Sequence, residues 1–346
     1  MAPTTQKALV VTEVGQPLVL VTERAVPQPG PNQIQIKVTV AGLNPHDQKA
    51  RDMGLFITGH LPAVLTNDVV GRVSQLGDGV TGVAIGDRVV AHAAIDAPWL
   101  QTGLQEYTLA YAGCWAKLPD SVSDDEAATL PTNIIAPLVA LFHLLRLRAP
   151  WDADAASANA SATLLVVGGG SNCGRFGVQL AKLAGVGRIV VVGGDEAELR
   201  RLGATHVLDR HGGYDAVLAR IRAVVGDDLV FAFDAVNPNE GQLLALNALS
   251  SHKRGALARL VPLGPVDETR VLNKTAGFEV RNVHGMSHAF PDLAAPFWER
   301  VPGYLEAGKI TPLGFVVKEG LMPENVNVVL DAYRDGKRVT KTHVHL

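Results

Sequence analysis

The chain has 346 residues, 47% hydrophobic and 19% charged, which is too long for one ordinary domain of ~100–200 residues and too apolar for a disordered chain. Its 31 basic and 34 acidic residues leave a formal charge of -3, so no cationic field is present to collect nucleic acid. Two cysteines, Cys114 and Cys173, cannot build a disulfide framework and lack the paired spacing of structural zinc.

The start, Met1 to Val10, has no basic segment leading into an apolar stretch, and no run of ~18 apolar residues follows, so a cytoplasmic protein without membrane partners is expected. Up to about residue 130 the chain reads as short strands between Gly, Pro and Asp, at 8–12, 18–23, 33–42, 69–76, 88–93, 104–109 and 114–118. These predict an antiparallel, barrel-like β domain over 1–130. Helical stretches, such as 174–184 and 241–249, then alternate with apolar strands at 163–167, 188–192, 206–208, 229–235, 256–263 and 279–284. That alternation predicts a parallel α/β sheet over 131–285. The Ala-, Ser- and Asp-rich stretch 149–162 lacks periodicity and reads as a surface loop. Residues 286–346 offer a helix at 291–307, a strand at 315–318, a helix at 324–335 and a strand at 342–346, expected to return to the β domain.

The segment Thr163-Leu-Leu-Val-Val-Gly168-Gly169-Gly170-Ser171-Asn172-Cys173-Gly174 joins a buried strand to an amphipathic helix. Gly168 and Gly170 remove side chains that would keep a diphosphate from the backbone, and Gly174 lets the helix pack near the strand. The helix start turns free N–H groups toward the anion, so Gly168, Gly170, Ser171, Asn172, Cys173 and Gly174 are expected to bind a dinucleotide. A phosphate-loop Gly-Lys-Ser/Thr is absent, and Cys173 stands where a hydrolase elbow needs Gly. After the second strand come Gly193, Gly194 and Asp195. An acid there would hold the 2′-hydroxyl of NAD, whereas small residues with a nearby arginine accept the 2′-phosphate of NADP. Asp195 is either that acid or the cap of the next helix. With Arg200, Arg201 and Arg210 at hand, NADPH is expected in preference to NADH.

Several motifs now combine: Asn44-Pro45-x-Asp47, Gly71-x-Val73-x-x-Leu76-Gly77-Asp78-Gly79-Val80, Gly86-Asp87-Arg88-Val89, Leu118-Pro119, Ala127-Ala-Thr-Leu-Pro131, the glycine turn and Leu202-Gly203-Ala204. Over nearly the whole chain they resemble the medium-chain dehydrogenase/reductase superfamily. The closest likeness is to its zinc-independent quinone-reductase and enoyl-reductase branch, including fungal trans-acting enoyl reductases of polyketide pathways. The resemblance implies an α/β protein with a GroES-like β-barrel catalytic domain and a Rossmann nucleotide-binding domain with a doubly wound parallel sheet, the active site lying in the cleft between them.

Zinc-using members carry a Cys near the position of Asn44 and a Gly-His-Glu that would fall on Thr66-Asn67-Asp68, so no metal site is expected here. In the family the Asn-Pro-x-Asp loop sits near the nicotinamide, which makes Asn44, Asp47 and Lys49 the candidates for orienting cofactor and substrate. Lys49 is also a candidate to stabilise an enolate oxygen, and His46 is either a proton donor or a turn histidine. Ala136 or Pro137 stands where a cofactor-contacting Thr is usual, so Thr132 or Asn133 substitutes for it. The segment Val261-Pro-Leu-Gly264-Pro265, with Leu263 and Gly264, resembles the loop whose backbone meets the nicotinamide amide. The usual Asp-Tyr after Leu-Gly-Ala is replaced downstream by Asp209-Arg210, which favours a phosphate contact. The reaction implied is hydride delivery from NADPH to an activated C=C bond of a small molecule or a carrier-bound acyl chain, in a protein that pairs as a homodimer in related chains. A metal-free carbonyl reductase, or a cofactor-binding protein without turnover, remains open at this point.

Overall fold

Glycine, proline and aspartate cut the first part of the chain into short extended runs, and their alternation of apolar and polar residues puts one face of each against a core. The computed structural model describes residues 3–261 and 264–346. Two units emerge: the first comprises residues up to Thr132, Met286–Gly308 and Pro312–Leu346, and the second comprises Asn133–Gly285 and Lys309–Thr311. Gln179 ties Thr311 to the second unit, its Oε1 accepting from the Thr311 N–H at 2.7 Å.

The first unit contains β1 (Thr5–Val11), β2 (Val19–Ala25), β3 (Gln33–Leu43), β4 (Ala63–Val64), β5 (Asp68–Leu76), β6 (Arg88–His92), β7 (Tyr107–Tyr111) and β8 (Trp115–Lys117). In the second unit lie β9 (Thr163–Val167), β10 (Arg188–Val192), β11 (His206–Leu208), β12 (Phe231–Asp234), β13 (Gly255–Arg259) and β14 (Phe278–Asn282). The last two strands, β15 (Phe315–Glu319) and β16 (Lys341–His345), belong to the first unit again.

In the first unit a three-stranded sheet runs β2-β1-β4, and a seven-stranded one runs β15-β16-β3-β5-β6-β8 with β7 also on β3. The C-terminal strand β16 pairs antiparallel with β3, Thr342 opposite Leu43, which brings the end of the chain beside the segment at Asn44. Strands β3 and β5 approach so closely at Gly71 that a Cβ there would lie 2.1 Å from the Lys37 carbonyl oxygen. Leu9, Val10, Leu43, Ile57, Trp99 and Leu104 form one core of this unit.

All six strands of the second unit are parallel, in the order β11-β10-β9-β12-β13-β14. Helices cover such sheets on both faces, which is why β9 and β10 read as unbroken apolar runs rather than alternating ones. The strand order reverses between β9 and β12, the position at which doubly wound sheets open a crevice beyond their carboxyl ends. Phe176 and Phe233 are fully buried here, beside a core built on Leu165, Val190, Ile221, Leu246 and Leu257.

Most strands and helices fall within one to three residues of their expected positions. Two expectations need correcting. The stretch 149–162 contains a helix, Ala155–Asn159, because alanine is the best helix former and Asn159 is buried as a local clamp. The Asn159 amide donates to the Arg148 and Ala184 carbonyls at 2.9 and 2.8 Å. The strand expected over 256–263 ends at Arg259. Among the described residues no helix is long and apolar enough to cross a membrane.

Phe233→Ala empties a fully buried site in the second unit and is expected to cost about 3–5 kcal/mol. Urea unfolding followed by circular dichroism measures this, and a loss under about 1 kcal/mol would contradict the packing described.

Candidate active site

β9 ends at Val167, and the chain turns through Gly168 at φ 88°, a conformation that favours glycine. The Gly168 and Gly169 N–H groups both donate to the Val192 carbonyl, at 3.1 and 3.2 Å, which stitches the turn to the end of β10. The glycines divide by role. A Cβ on Gly169 would lie 2.1 Å from Val191 Cγ1, and one on Gly174 would lie 2.3 Å from the Gly168 oxygen, so these two serve packing. A Cβ on Gly168 would lie 2.5 Å from Val236, beyond the end of β12, which places the turn at the reversal of strand order. Gly170 is exposed, and the nearest atom to a Cβ there is Gly194 Cα at 3.2 Å, so its missing side chain leaves backbone open. Ser171 caps the helix Asn172–Leu183, its Oγ accepting from the Gly174 N–H at 3.0 Å and donating to the Gly168 oxygen at 2.8 Å. Asn172 and Cys173 form the first turn of that helix.

Past β10, Gly193 and Gly194 adopt φ of 77° and 104°. Asp195 caps the next helix, Glu196–Leu202, through a 2.8 Å bond from the Glu198 N–H. Arg200, expected to be an available cation, instead pairs with Glu196 at 2.8 Å, one turn back on its own helix, and donates to the Thr205 carbonyl at 3.1 Å just past the helix end. Arg210 differs. A Cβ on Gly193 would lie 3.1 Å from Arg210 Cδ, so the arginine stem passes over the tip of β10. Its exposed guanidinium has no protein partner among the described residues.

In the third expected element, residues 261–265, the described residues Val261 and Gly264 are anchored through a residue that the sequence reading did not single out. Arg259, buried at the end of β13, donates to the Gly264 carbonyl at 2.7 Å and to Gln242 Oε1 at 2.9 Å, while Gln242 donates to the Val261 carbonyl at 2.9 Å. Leu263 lies outside the described residues. Asn133 is buried on the helix Pro131–Leu138.

In the first unit, the segment expected as a loop at Asn44–Asp47 is instead the N-cap and first turn of the helix Pro45–Met53, where Asn44 and Asp47 form a capping box, and it is built on a buried charge pair. Lys341 Nζ bonds Asp68 Oδ2, Asn44 Oδ1 at 3.1 Å and the Leu43 carbonyl at 3.3 Å, with both ionic side chains essentially inaccessible. Asp68 also accepts from Asn44 Nδ2 at 2.8 Å and from the Thr132 N–H at 2.7 Å. Burial pushes the Asp68 carboxyl up, but the Lys341 charge and hydrogen bonds from Lys341, Thr132 and Asn44 outweigh it and hold the group down at about 2. Asp47 accepts from the Asn44 N–H at 2.7 Å and the Thr66 N–H at 3.0 Å, and burial pushes its carboxyl above the usual range. Both Asp47 oxygens thus serve backbone amides, and Asn44 is tied to Asp68 and Lys341. These two candidates shape the loop from within the protein.

Two residues of this helix keep polar atoms available. Lys49, half-buried on the helix Pro45–Met53, has no ion-pair partner among the described residues. His46 Nε2 lies 2.8 Å from Asn67 Oδ1, and Asn67 Nδ2 donates to the Ala93 carbonyl at 2.9 Å. That second bond fixes the amide, so His46 must donate from Nε2 and its Nδ1 remains for other use. Nearby, His92 is fully buried and held neutral, its pKa lowered to about 4 by burial, with Nδ1 accepting from the Ser287 N–H at 3.3 Å. Lys341 and Asp68 stand 273 residues apart, so no local pattern linked them.

Residues 30–133 match the family model of the alcohol dehydrogenase GroES-like domain. The trans-enoyl reductase tazE of Aspergillus terreus is 33% identical over 264 residues, covering 73% of this chain and 84% of that protein. The dehydrogenase orsE of Emericella nidulans is 30% identical over 370 residues, covering 99% of each. The chain belongs to the medium-chain dehydrogenase/reductase superfamily. Within it this medium-chain reductase falls in the enoyl-reductase-like branch and is an NAD(P)H-dependent enzyme. Its fold is shared by the enoyl reductase CurK, 20% identical with a TM-score of 0.77 over 98% of this chain and 99% of that one. A mycobacterial protein solved in complex with NADPH, 24% identical, gives a TM-score of 0.73 over 99% and 100%.

Lys341→Met leaves Asp68 as a buried charge without compensation, and a loss of about 3–5 kcal/mol at neutral pH is expected. The depressed Asp68 pKa contributes stability above the unfolded value of ~3.9 that disappears as pH falls toward about 2. In the variant this sign reverses, since protonating the stranded acid relieves it. Urea unfolding across this acid range checks the prediction; equal pH slopes in both proteins would contradict it.

Proposed function

We propose that this medium-chain reductase works without zinc and uses NADPH to deliver hydride to the β-carbon of a double bond conjugated to a carbonyl, in an enone, a quinone or an enoyl thioester. The observation that carries metal independence is the Lys341 ammonium, within 3.1 Å of Asn44 and bonded to Asp68, at the positions where the resemblance puts zinc-using residues. A zinc site needs ~three thiolate, imidazole or carboxylate donors around an open position. Here the corresponding residues are two amides, Asn44 and Asn67, and a carboxylate already neutralised by lysine. Among the described residues no three His, Cys, Asp or Glu side chains group as metal ligands. The donor set does not fit zinc.

The second unit does fit a dinucleotide. Open backbone at Gly170 and the capped helix start at Ser171 would receive the diphosphate, with Gly168, Asn172, Cys173 and Gly174 forming the turn. Arg210 over Gly193, next to Gly194, would meet the 2′-phosphate, while Asp195 is engaged as a helix cap; this combination favours NADPH over NADH. The Gly264 loop, held by Arg259, would face the carboxamide, and Asn133 would complete the binding surface. Bound NADPH supplies the hydride; the protein aligns it and stabilises the enolate oxygen that develops. Lys49 is the cation suited to that oxygen, and His46 holds its proton at Nε2 with Nδ1 open to substrate or water. Relatives named as enoyl reductases favour an enoyl substrate over a saturated ketone.

Removing the unpartnered cation with Arg210→Ala should raise the KM for NADPH roughly 10–100-fold, the worth of a charge-assisted bond, and change that for NADH less than about twofold. Gly170→Val should weaken both cofactors alike, and equal effects of Arg210→Ala on both would reject the 2′-phosphate contact. In an absorbance assay, NADPH oxidation by enones, quinones or enoyl thioesters should be indifferent to chelators. Reduction of saturated ketones alone would select a carbonyl reductase, and activity lost to chelation would reject metal independence.

A further inference from the structure

Arg24, in β2, is a half-buried guanidinium without an acid beside it. Its Nη2 donates to the Pro98 and Trp99 carbonyls at 2.7 and 3.4 Å, and its Nε donates to Gln105 Oε1 at 3.1 Å. Among the described residues no carboxylate pairs with it, and Glu106, beside Gln105 in sequence, is bonded to the Lys7 N–H at 2.7 Å. Burial lowers the Arg24 pKa, and Nη1 retains two unused donors. The group is fixed in place. Gln105, fully buried, also donates to the Trp99 and Thr102 carbonyls at 3.0 and 2.9 Å, and Trp99 Nε1 donates to the His60 carbonyl at 2.7 Å.

Arg24 lines an open cavity of about 560 Å³, whose other walls include Leu61, Pro62, Ala97, Pro98 and Trp99. A partly desolvated cation held by neutral oxygens alone lacks the counter-charge such groups need, and the unused fork matches an oxyanion. The apolar walls suit a hydrocarbon chain. We propose that this cavity binds an amphipathic oxyanion, a carboxylate or phosphate monoester on a short aliphatic chain, with its headgroup on Arg24 and its chain along the proline and tryptophan walls. The inference stands apart from the reductase reading, since Arg24 and Ala25 belong neither to the cofactor turn nor to the Asn44–Asp47 segment.

Hexanoate, hexyl phosphate and inorganic phosphate titrated into the intact protein, followed by calorimetry and tryptophan fluorescence, provide the test. Saturable binding of hexanoate or hexyl phosphate is expected, weakening by up to about fourfold for each methylene removed. Arg24→Gln should weaken it roughly tenfold or more. Ala25→Phe, which fills the cavity while leaving the Arg24 hydrogen bonds in place, should do the same, with enone turnover unchanged in both variants. A preference between the two alkyl probes identifies the headgroup. Absence of saturable binding, undiminished affinity in Ala25→Phe, or inorganic phosphate binding as tightly as hexyl phosphate would overturn the proposal. Should Arg24→Gln not fold, Ala25→Phe alone decides it.

Discussion

The contact between Asp68 and Lys341 is the constraint around which the first unit is organised. It joins β5 to the terminal strand β16, holds Asn44 as the N-cap of the helix Pro45–Met53, and uses the same carboxylate to receive the N–H of Thr132 near the start of the helix Pro131–Leu138. Two charges removed from water cost several kcal/mol each, which Coulomb attraction offsets only when the remaining lone pairs and protons are also satisfied. Here Asp68 receives two further donors and Lys341 two further acceptors. The arrangement is therefore intolerant of single changes.

The second unit solves a different problem with almost no side chains. The surface proposed to bind the cofactor is made by removing atoms: Gly170 exposes backbone, Gly169 and Gly174 allow close packing, and Gly193 makes room for the stem of Arg210. Such a surface is suited to a diphosphate, whose charge is met by oriented N–H groups that need no reorganisation. Under the proposed function, discrimination between the two nicotinamide cofactors would fall to a few side chains at the tip of β10, where Asp195 and Arg200 are already engaged and Arg210 is not.

Much of this was legible in the sequence because it is local. Strands β9 and β10 announce themselves as apolar runs, and the glycine turn lies at the strand-to-helix junction where its chemistry requires it. The loop at Asn44 is also recognisable by its motif. What the residues of that loop do was not legible, since Asp47 and Asn44 look like substrate-facing polar groups until their partners, Thr66, Asp68 and Lys341, are placed. Arg259 and Arg24 show the same limit: each is one basic residue in a strand, and only tertiary packing brings the carbonyl oxygens that hold it. The helix Ala155–Asn159 escaped because periodicity says little about a five-residue alanine-rich segment.

The central claim concerns where hydride goes, and isotope transfer reads that directly. NADPH carrying deuterium at its transferable C4 position, incubated with the enzyme and an enone in the presence of a chelator, should give a saturated ketone labelled at the β-carbon, as seen by NMR. Deuterium on the carbonyl carbon, or transfer that stops when metal is withheld, would contradict the account.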